Sequence, residues 1–275
     1  NVVLSEQTPY QKIVMTADRG DIRLYLDGNL QFSSLDEYRY HESLIHVPMG
    51  LASFRGEVLL LGAGDGIAAR EILKYKDVRD VTIVDLDKRV TDLASKNPLL
   101  RDINQESLDD SRVKIVHDDA FRFLNGPGNS YDMIFADLPD PNNLSLAKLY
   151  SREFYRLILK RLKPGGIFSG QSTSPYYSKN AFWCIKQSLE AAGLLYTYPY
   201  HVNIPSFGEW GFVMGSMLPI DLGKFKLSVE TKFLTDDISH LFYFEKDIQE
   251  VSLMVSSLDR PTVLTYYLDG WEKHK

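Results

Sequence analysis

Val58-Leu59-Leu60-Leu61-Gly62-Ala63-Gly64-Asp65-Gly66-Ile67 is the stretch that decides the fold. Four consecutive apolar residues read as a strand buried on both faces, and a helical pattern follows over 67–75. Between them, a glycine at every second position allows a tight turn and the close approach of another group. The first turn of the helix then points free N–H groups at whatever lies in front of it. Downstream, apolar strands are predicted at 81–87, Val113–His117, Tyr131–Asp137 and 167–171, the last after a Lys-Pro-Gly-Gly turn. Strands joined by helical crossovers predict a parallel sheet covered on both faces. A helix over 181–192 and two segments, 195–202 and 210–215, add a late hairpin to that sheet. Upstream, 10–17 and 22–33 read as antiparallel strands, with turns at Asp18-Arg19-Gly20-Asp21 and Asp27-Gly28. A helix over 36–53 follows, with Ser34 or Asp36 as its N-cap and Pro48 as a kink or stop. Aromatic and apolar residues beyond Leu218 predict packing on the domain rather than a free tail. The fold class is therefore α/β: a Rossmann-like catalytic domain over 51–275, preceded by a small antiparallel β-hairpin domain with its connecting helix over 1–50.

The chain has 275 residues, enough to bury a full core without staples. Its 44% hydrophobic and 25% charged residues match an ordinary globular composition, so disorder is excluded. Cys184 is the single cysteine, which rules out an intrachain disulfide or a multi-cysteine metal cluster and suits a reducing compartment. The net charge of −6 speaks against nucleic acid as the main partner and suits a cationic one. No apolar run is long enough to span a bilayer, and no signal peptide opens the chain. The start at Asn1 rather than Met leads us to expect sequence upstream.

Acids at the ends of three strands give the glycine loop a chemistry. Asp85 lies near the distance from Gly62 at which an acid holds a ribose hydroxyl pair, whereas Asp87 reads equally as a helix cap. Asp118-Asp119-Ala120 ends the next strand, where a carboxylate can accept an adenine amino group. A plain glycine-rich turn without a nucleotide is the simpler reading of the loop alone; the acids make a nucleoside the better one. Gly62, Gly64 and Gly66 follow the G-x-G-x-G spacing of S-adenosylmethionine (AdoMet) folds, not the G-x-G-x-x-G of dinucleotide enzymes. The sheet is thus expected to be AdoMet-methyltransferase-like. Leu60 stands where many methyltransferases place an acid, and Asp65 sits inside the loop. A carboxylate there would repel the methionine carboxylate and attract the bare ammonium of decarboxylated AdoMet. At about 4 Å and an effective dielectric of about 20, that change of sign is worth roughly several kcal/mol.

Asp137-Leu138-Pro139-Asp140-Pro141 ends the fourth strand of the parallel sheet. Two carboxylates this close raise each other's pKa unless a cation lies between them, and a diamine or polyamine supplies one. An amine must lose a proton before it attacks carbon; Asp137 could take that proton while Asp140 holds the substrate in line. An exposed, proline-capped turn is the alternative. The [Asp/Asn]-Pro-Pro-aromatic motif of amino-methyltransferases matches poorly, because Leu138 and Asp140 stand at its second and fourth positions.

Assembled, these residues resemble the spermidine synthase family of polyamine aminopropyltransferases over roughly residues 8–216. The likeness rests on Tyr10-Gln11-Lys12-Ile13, Leu26-Asp27-Gly28-Asn29-Leu30-Gln31, Asp36-Glu37-Tyr38-Arg39-Tyr40-His41-Glu42, the glycine loop, Val84-Asp85-Leu86-Asp87, Asp119-Ala120, the Asp137–Pro141 segment and Gln171. The resemblance implies aminopropyl transfer from decarboxylated AdoMet to an amine, putrescine by default, with release of methylthioadenosine and no tightly bound cofactor. It assigns Gln11, Gln31, His41, Gly62, Gly64, Asp65, Asp85, Asp119 and Ala120 to the nucleoside co-substrate. Asp137 is implied as the acid/base and Tyr40 as the group orienting the attacking nitrogen, with Asp140 and Gln171 binding the amine. A homodimer or tetramer through the N-terminal β domain and a cytoplasmic location are implied too. The chain is also similar to the soluble domain of members fused behind membrane segments, which would tether it to the inner membrane.

Departures from the family fall mostly on the amine side. Ala63 and Asp85 stand where the family often has Gly and Glu, and the D-[S/T/C]-[S/T]-D-P segment carries Leu138-Pro139. In the late loop, Phe207 lacks the hydroxyl of the usual Tyr, while Glu209 and Trp210 could bind an ammonium by charge and cation–π contact. Two rival functions share the fold: an AdoMet-dependent small-molecule methyltransferase, and a non-catalytic polyamine- or nucleoside-binding homologue. No metal is expected. His41 and His46 are five residues apart, which puts their rings about 140° apart round a helix. Cys184 reads as core.

Overall fold

The small sheet comes first in the computed structural model, which describes residues 1–274. Its strands are β1 (Val2–Gln7), β2 (Lys12–Asp18), β3 (Asp21–Leu26) and β4 (Asn29–Ser33), antiparallel in that order. Both expected turns are there, and Asp27 and Gly28 have positive φ at the second one. The alternation of Ile13 and Met15, with Leu24 and Phe32, buries one face against Ile67, Val90, Leu93 and Leu100. β1 was not expected from its sequence; it is largely exposed, so no buried stripe marks it.

Helix α1 (Glu37–Leu51) starts after Asp36 and runs three residues past Pro48. Tyr40, Leu44, Ile45, Val47 and Met49 join the core of the large sheet, so α1 belongs by packing to that sheet. Asp36 stands at the N-cap position, and its carbonyl accepts from Arg39 N at 3.0 Å, but its side chain does not cap the helix. Its carboxylate accepts from Ser206 N at 2.7 Å and Ser206 Oγ at 2.8 Å instead.

The rest alternates as expected: β5 (Glu57–Gly62), α2 (Ile67–Leu73), β6 (Asp80–Asp85), α3 (Lys88–Lys96), α4 (Pro98–Asn104), β7 (Val113–His117), α5 (Ala120–Asn125), β8 (Tyr131–Asp137), α6 (Leu144–Ala147), α7 (Arg152–Arg161), β9 (Leu162–Gln171), α8 (Lys179–Ala192), β10 (Tyr196–Ile204) and β11 (Gly208–Ser216). The sheet order is β10-β11-β9-β8-β5-β6-β7. β5 to β9 pair in parallel, and the β10–β11 hairpin adds antiparallel to β9. The Lys-Pro-Gly-Gly segment lies inside β9 rather than before it; a register shift opposite Tyr131 and Met133 and a positive φ at Gly165 absorb the irregularity. Two apolar cores cover the two faces.

The tail packs back on the domain, as expected, and ends in helix α9 (Thr262–Glu272) against α8. Buried Glu42 anchors it further upstream, accepting the N–H groups of Lys232, Phe233 and Leu234 at 2.6, 2.9 and 3.0 Å. Among the described residues, no helix is long and apolar enough to cross a membrane.

Candidate active site

β5, β6, β7, β8 and β9 end at Gly62, Asp85, His117, Asp137 and Gln171 along one rim. β5 lies between β6 and β8, so the direction of sheet growth reverses beside it. The crevice outside the strand ends at such a reversal is where open α/β sheets bind ligands.

Close backbone approach explains the glycines. A Cβ at Gly62, where φ is +82°, would sit 2.1 Å from Asp137 O. One at Gly64 would lie 2.4 Å from Asp85 Oδ2, the atom to which Gly64 N donates at 3.0 Å. The loop thus seats Asp137 and Asp85 against its own backbone. Ala63 is held at φ 59°, in the left-handed region that disfavours a side chain.

Asp65, Asp85, Asp137 and Asp140 are half-buried: solvent reaches them through the crevice, yet packed atoms surround them. Burial pushes Asp65 up to about 6; Asp137 adds to the rise, while His41 and the Ile67 N–H work against it. Burial also pushes Asp85 up to about 6, against the N–H groups of Asp87 and Gly64. Asp137 rises for the same reason, with His41 and the Tyr40 hydroxyl opposing. Asp140 reaches about 6, opposed by hydrogen bonds from Tyr267 at 3.0 Å and Gln171 Nε2 at 3.2 Å. No lysine or arginine is among the neighbours that shift Asp65, Asp137 or Asp140. The crevice is therefore poised for a cation.

Tyr40 donates its hydroxyl to Asp137 Oδ1. Burial and the charge of Asp137 hold its pKa well above the ordinary phenol value, so it stays a donor. His41 Nδ1 lies 2.9 Å from both the Glu37 carbonyl and Glu37 Oε2, and Arg70 grips the same carboxylate with two bonds of 3.0 Å. Burial alone would lower the His41 pKa; Glu37, Asp65 and Asp137 raise it. His46 points elsewhere, to Glu71 at 2.6 Å and Tyr75 at 3.1 Å, so the two histidines share no centre. No cluster of three potential metal ligands occurs among the described residues.

Several expected site residues stand differently. Glu209 and Trp210 are neighbours on a strand and face opposite sides, so they cannot grip one ammonium together. Glu209 bonds His201 Nδ1 at 2.5 Å, while the Trp210 ring packs 5.2 Å from Phe207, which lies 6.0 Å from Tyr40. The buried Trp210 Nε1 has no partner. Asp119 caps α5 and meets Lys148 Nζ at 2.7 Å, which holds its carboxyl below the usual range despite partial burial. An adenine amino group would have to share an oxygen already taken by that lysine or by the Arg122 N–H. Ala120, buried, opens the same helix. Gln11 donates to Asp87 Oδ2 at 3.2 Å, which ties the small sheet to the start of α3. Asp87 also caps α3 through Arg89 N, so the cap reading holds for it. The Gln31 amide turns back to Asn29 O within its own hairpin, at 3.1 Å.

Sequence reasoning missed Glu37, Tyr150, Lys148 and Tyr267. Glu37 had a signal, since it lies four residues before His41 on one helix face. Tyr150, whose hydroxyl meets Gln171 Nε2 at 2.6 Å, and Tyr267 had none.

The family model described as the spermine/spermidine synthase domain matches residues 37–220. Relatives include a polyamine aminopropyltransferase of Oceanobacillus iheyensis, 47% identical over 99% of this chain and 54% of that protein. Another, from Leptospira interrogans, is 41% identical over 99% of this chain and 54% of its own length. The chain spans about half the length of these curated relatives. Among solved structures, a spermidine synthase in complex with the transition-state analogue AdoDATO superposes with a TM-score of 0.83 at 28% identity, covering 90% of this chain and 86% of the other. The spermidine synthase from Thermotoga maritima gives 0.81 at the same identity and coverage.

Proposed function

The chain belongs to the spermine/spermidine synthase family, and from that premise we propose that it moves an aminopropyl group from decarboxylated AdoMet to an amine, putrescine by default. The observation that carries the reading is the set of half-buried acids at one rim, Asp65, Asp137 and Asp140, with no lysine or arginine to neutralise them. Such a set favours ligands with ammonium groups and opposes the carboxylate of AdoMet.

The nitrogen attacks the carbon next to the sulfonium, the C–S bond breaks, and sulfur leaves as the neutral thioether of methylthioadenosine. No acid is needed for departure, so the protein aligns the partners and removes the ammonium proton. Asp137 takes that proton; burial has raised its affinity for one. Tyr40 fixes the carboxylate's orientation through Oδ1 and leaves the other oxygen for the amine. Asp140 and Gln171 hold the amine's far end. Gly64 N and Asp87 N already orient both oxygens of Asp85, whose remaining lone pairs would face the ribose hydroxyls.

The exposed edge strand β1, with Val2 and Val3 in solvent, supports pairing between copies through the small sheet. Light scattering on the purified chain checks this, with a dimer or tetramer expected. The activity is tested by incubating the chain with decarboxylated AdoMet and a panel of amines and measuring methylthioadenosine. Product with a diamine is expected; none with any amine would reject the reading.

A further inference from the structure

We propose that Tyr267, on the C-terminal helix α9, is a positioning residue of the amine subsite, holding the Asp140 carboxylate ready for an ammonium. The inference rests on the aminopropyl-transfer reading above. The Tyr267 hydroxyl donates to Asp140 Oδ2 at 3.0 Å across 127 residues of chain. Gln171 Nε2 lies 3.2 Å from the other oxygen, but its two hydrogens also serve Leu138 O at 2.5 Å and the Tyr150 hydroxyl at 2.6 Å, so Tyr267 is the nearer donor to the carboxylate.

Close docking of α9 sets where that hydroxyl lies. A Cβ on Gly270 would sit 2.8 Å from Ser178 Cα and from Tyr177 O, so only glycine lets α9 lie this near the start of α8. Trp271 stacks on Tyr177 with ring centres 5.1 Å apart and planes 15° from parallel. Val263 is fully buried in the same core. The helix lies outside residues 37–220, the part that the family model matches, while the curated relatives align over 99% of the chain. Tyr267 thus brings a hydroxyl to the site from the end of the chain.

The chemistry follows from the surroundings of Asp140. Burial presses its carboxyl toward the neutral form, and Tyr267 and Gln171 press back. The other titratable groups that feel its charge are Tyr40 and Tyr150, both held protonated by burial; Asp137 ends the strand just before it. A neutral carboxyl binds an ammonium poorly. Without the Tyr267 hydroxyl, half-ionisation of Asp140 should move up by about one to two pH units, the worth of a hydrogen bond to a charged group. From a starting point of about 6, about half to nine-tenths of Asp140 would then be neutral at pH 7, and it would be mostly charged again at pH 9.

The test is calorimetric titration of putrescine into the methylthioadenosine-loaded chain at pH 7 and pH 9. For Tyr267→Phe the putrescine Kd should rise about two- to tenfold at pH 7 and match wild type to within about 1.2-fold at pH 9. Methylthioadenosine affinity should not change. In an Asp140→Asn background, Tyr267→Phe should have no further effect. An unchanged Kd at pH 7, an equal loss at both pH values, or a full effect in the Asp140→Asn background would overturn the inference while leaving the function intact. Wild-type protein that binds no amine and forms no methylthioadenosine would overturn both.

Discussion

Replacing Asp137 by Asn separates the chemistry from the fold. The amide keeps the shape of the side chain and still offers an oxygen to the Tyr40 hydroxyl. It cannot take a proton or balance an ammonium. Loss of a positioned base costs about 10²–10⁴ in rate, or about 3–5 kcal/mol of barrier. Stability should move the other way. The Asp137 pKa lies above its ordinary value in the fold, mainly through burial, so the charged form is held at a cost that the amide does not carry. Asp65 and Asp85, the residues proposed to hold the nucleoside co-substrate, are untouched. Turnover is followed as methylthioadenosine by chromatography, nucleoside binding by calorimetry and stability by thermal melting. The expected result is a kcat at least a hundredfold lower, an unchanged methylthioadenosine Kd and a melting temperature equal or higher. A kcat within about threefold of wild type would refute the role of Asp137 as base.

Other perturbations probe the scaffold. Glu71 is buried and meets His46 at 2.6 Å, Arg70 at 2.7 Å and Lys74 at 2.6 Å; Glu71→Gln should lower unfolding stability by about 3–5 kcal/mol in denaturant titration, and a loss under about 1 kcal/mol would contradict the network's importance. Gly62→Ala forces a Cβ to within 2.1 Å of Asp137 O at positive φ, so both melting temperature and kcat should fall together; a fall in neither would contradict the close-approach reading. Stability of the unliganded protein should fall from pH 5 to pH 8. Asp65, Asp85 and Asp140 titrate at about 6 in the fold against 3.8 unfolded, so the fold holds protons that the unfolded chain has released, and stability drops as pH rises through that window. His41, also raised, loses its contribution in the same direction. Melting curves that rise over this range would contradict these assignments.

The parallel sheet and its rim were legible because their signals are local. Val58–Leu61 is apolar throughout, and Gly62, Gly64 and Gly66 mark a turn that must approach other strands. The acids Asp65, Asp85, Asp137 and Asp140 then fall at strand ends by register alone. Contacts made across the chain were not legible. Nothing near Tyr267 points to Asp140, and nothing near Lys148 points to Asp119, because both pairs meet only when helices dock. Glu209 and Trp210 do not face one ligand together for a simpler reason: the strand expected to begin at Trp210 begins at Gly208, so both lie inside β11 and adjacent strand residues face opposite ways. The exposed strand β1 lacks an inward stripe, so periodicity could not find it.

Selection by the acidic rim is tested most directly by calorimetry of the chain with decarboxylated AdoMet and with AdoMet, side by side at pH 8. A unit charge pair at about 4 Å and an effective dielectric of about 20 is worth about 4 kcal/mol, so even half of that predicts at least about thirtyfold tighter binding of the decarboxylated form. Equal affinities, or tighter binding of AdoMet, would contradict the role given to Asp65 and favour methyl transfer.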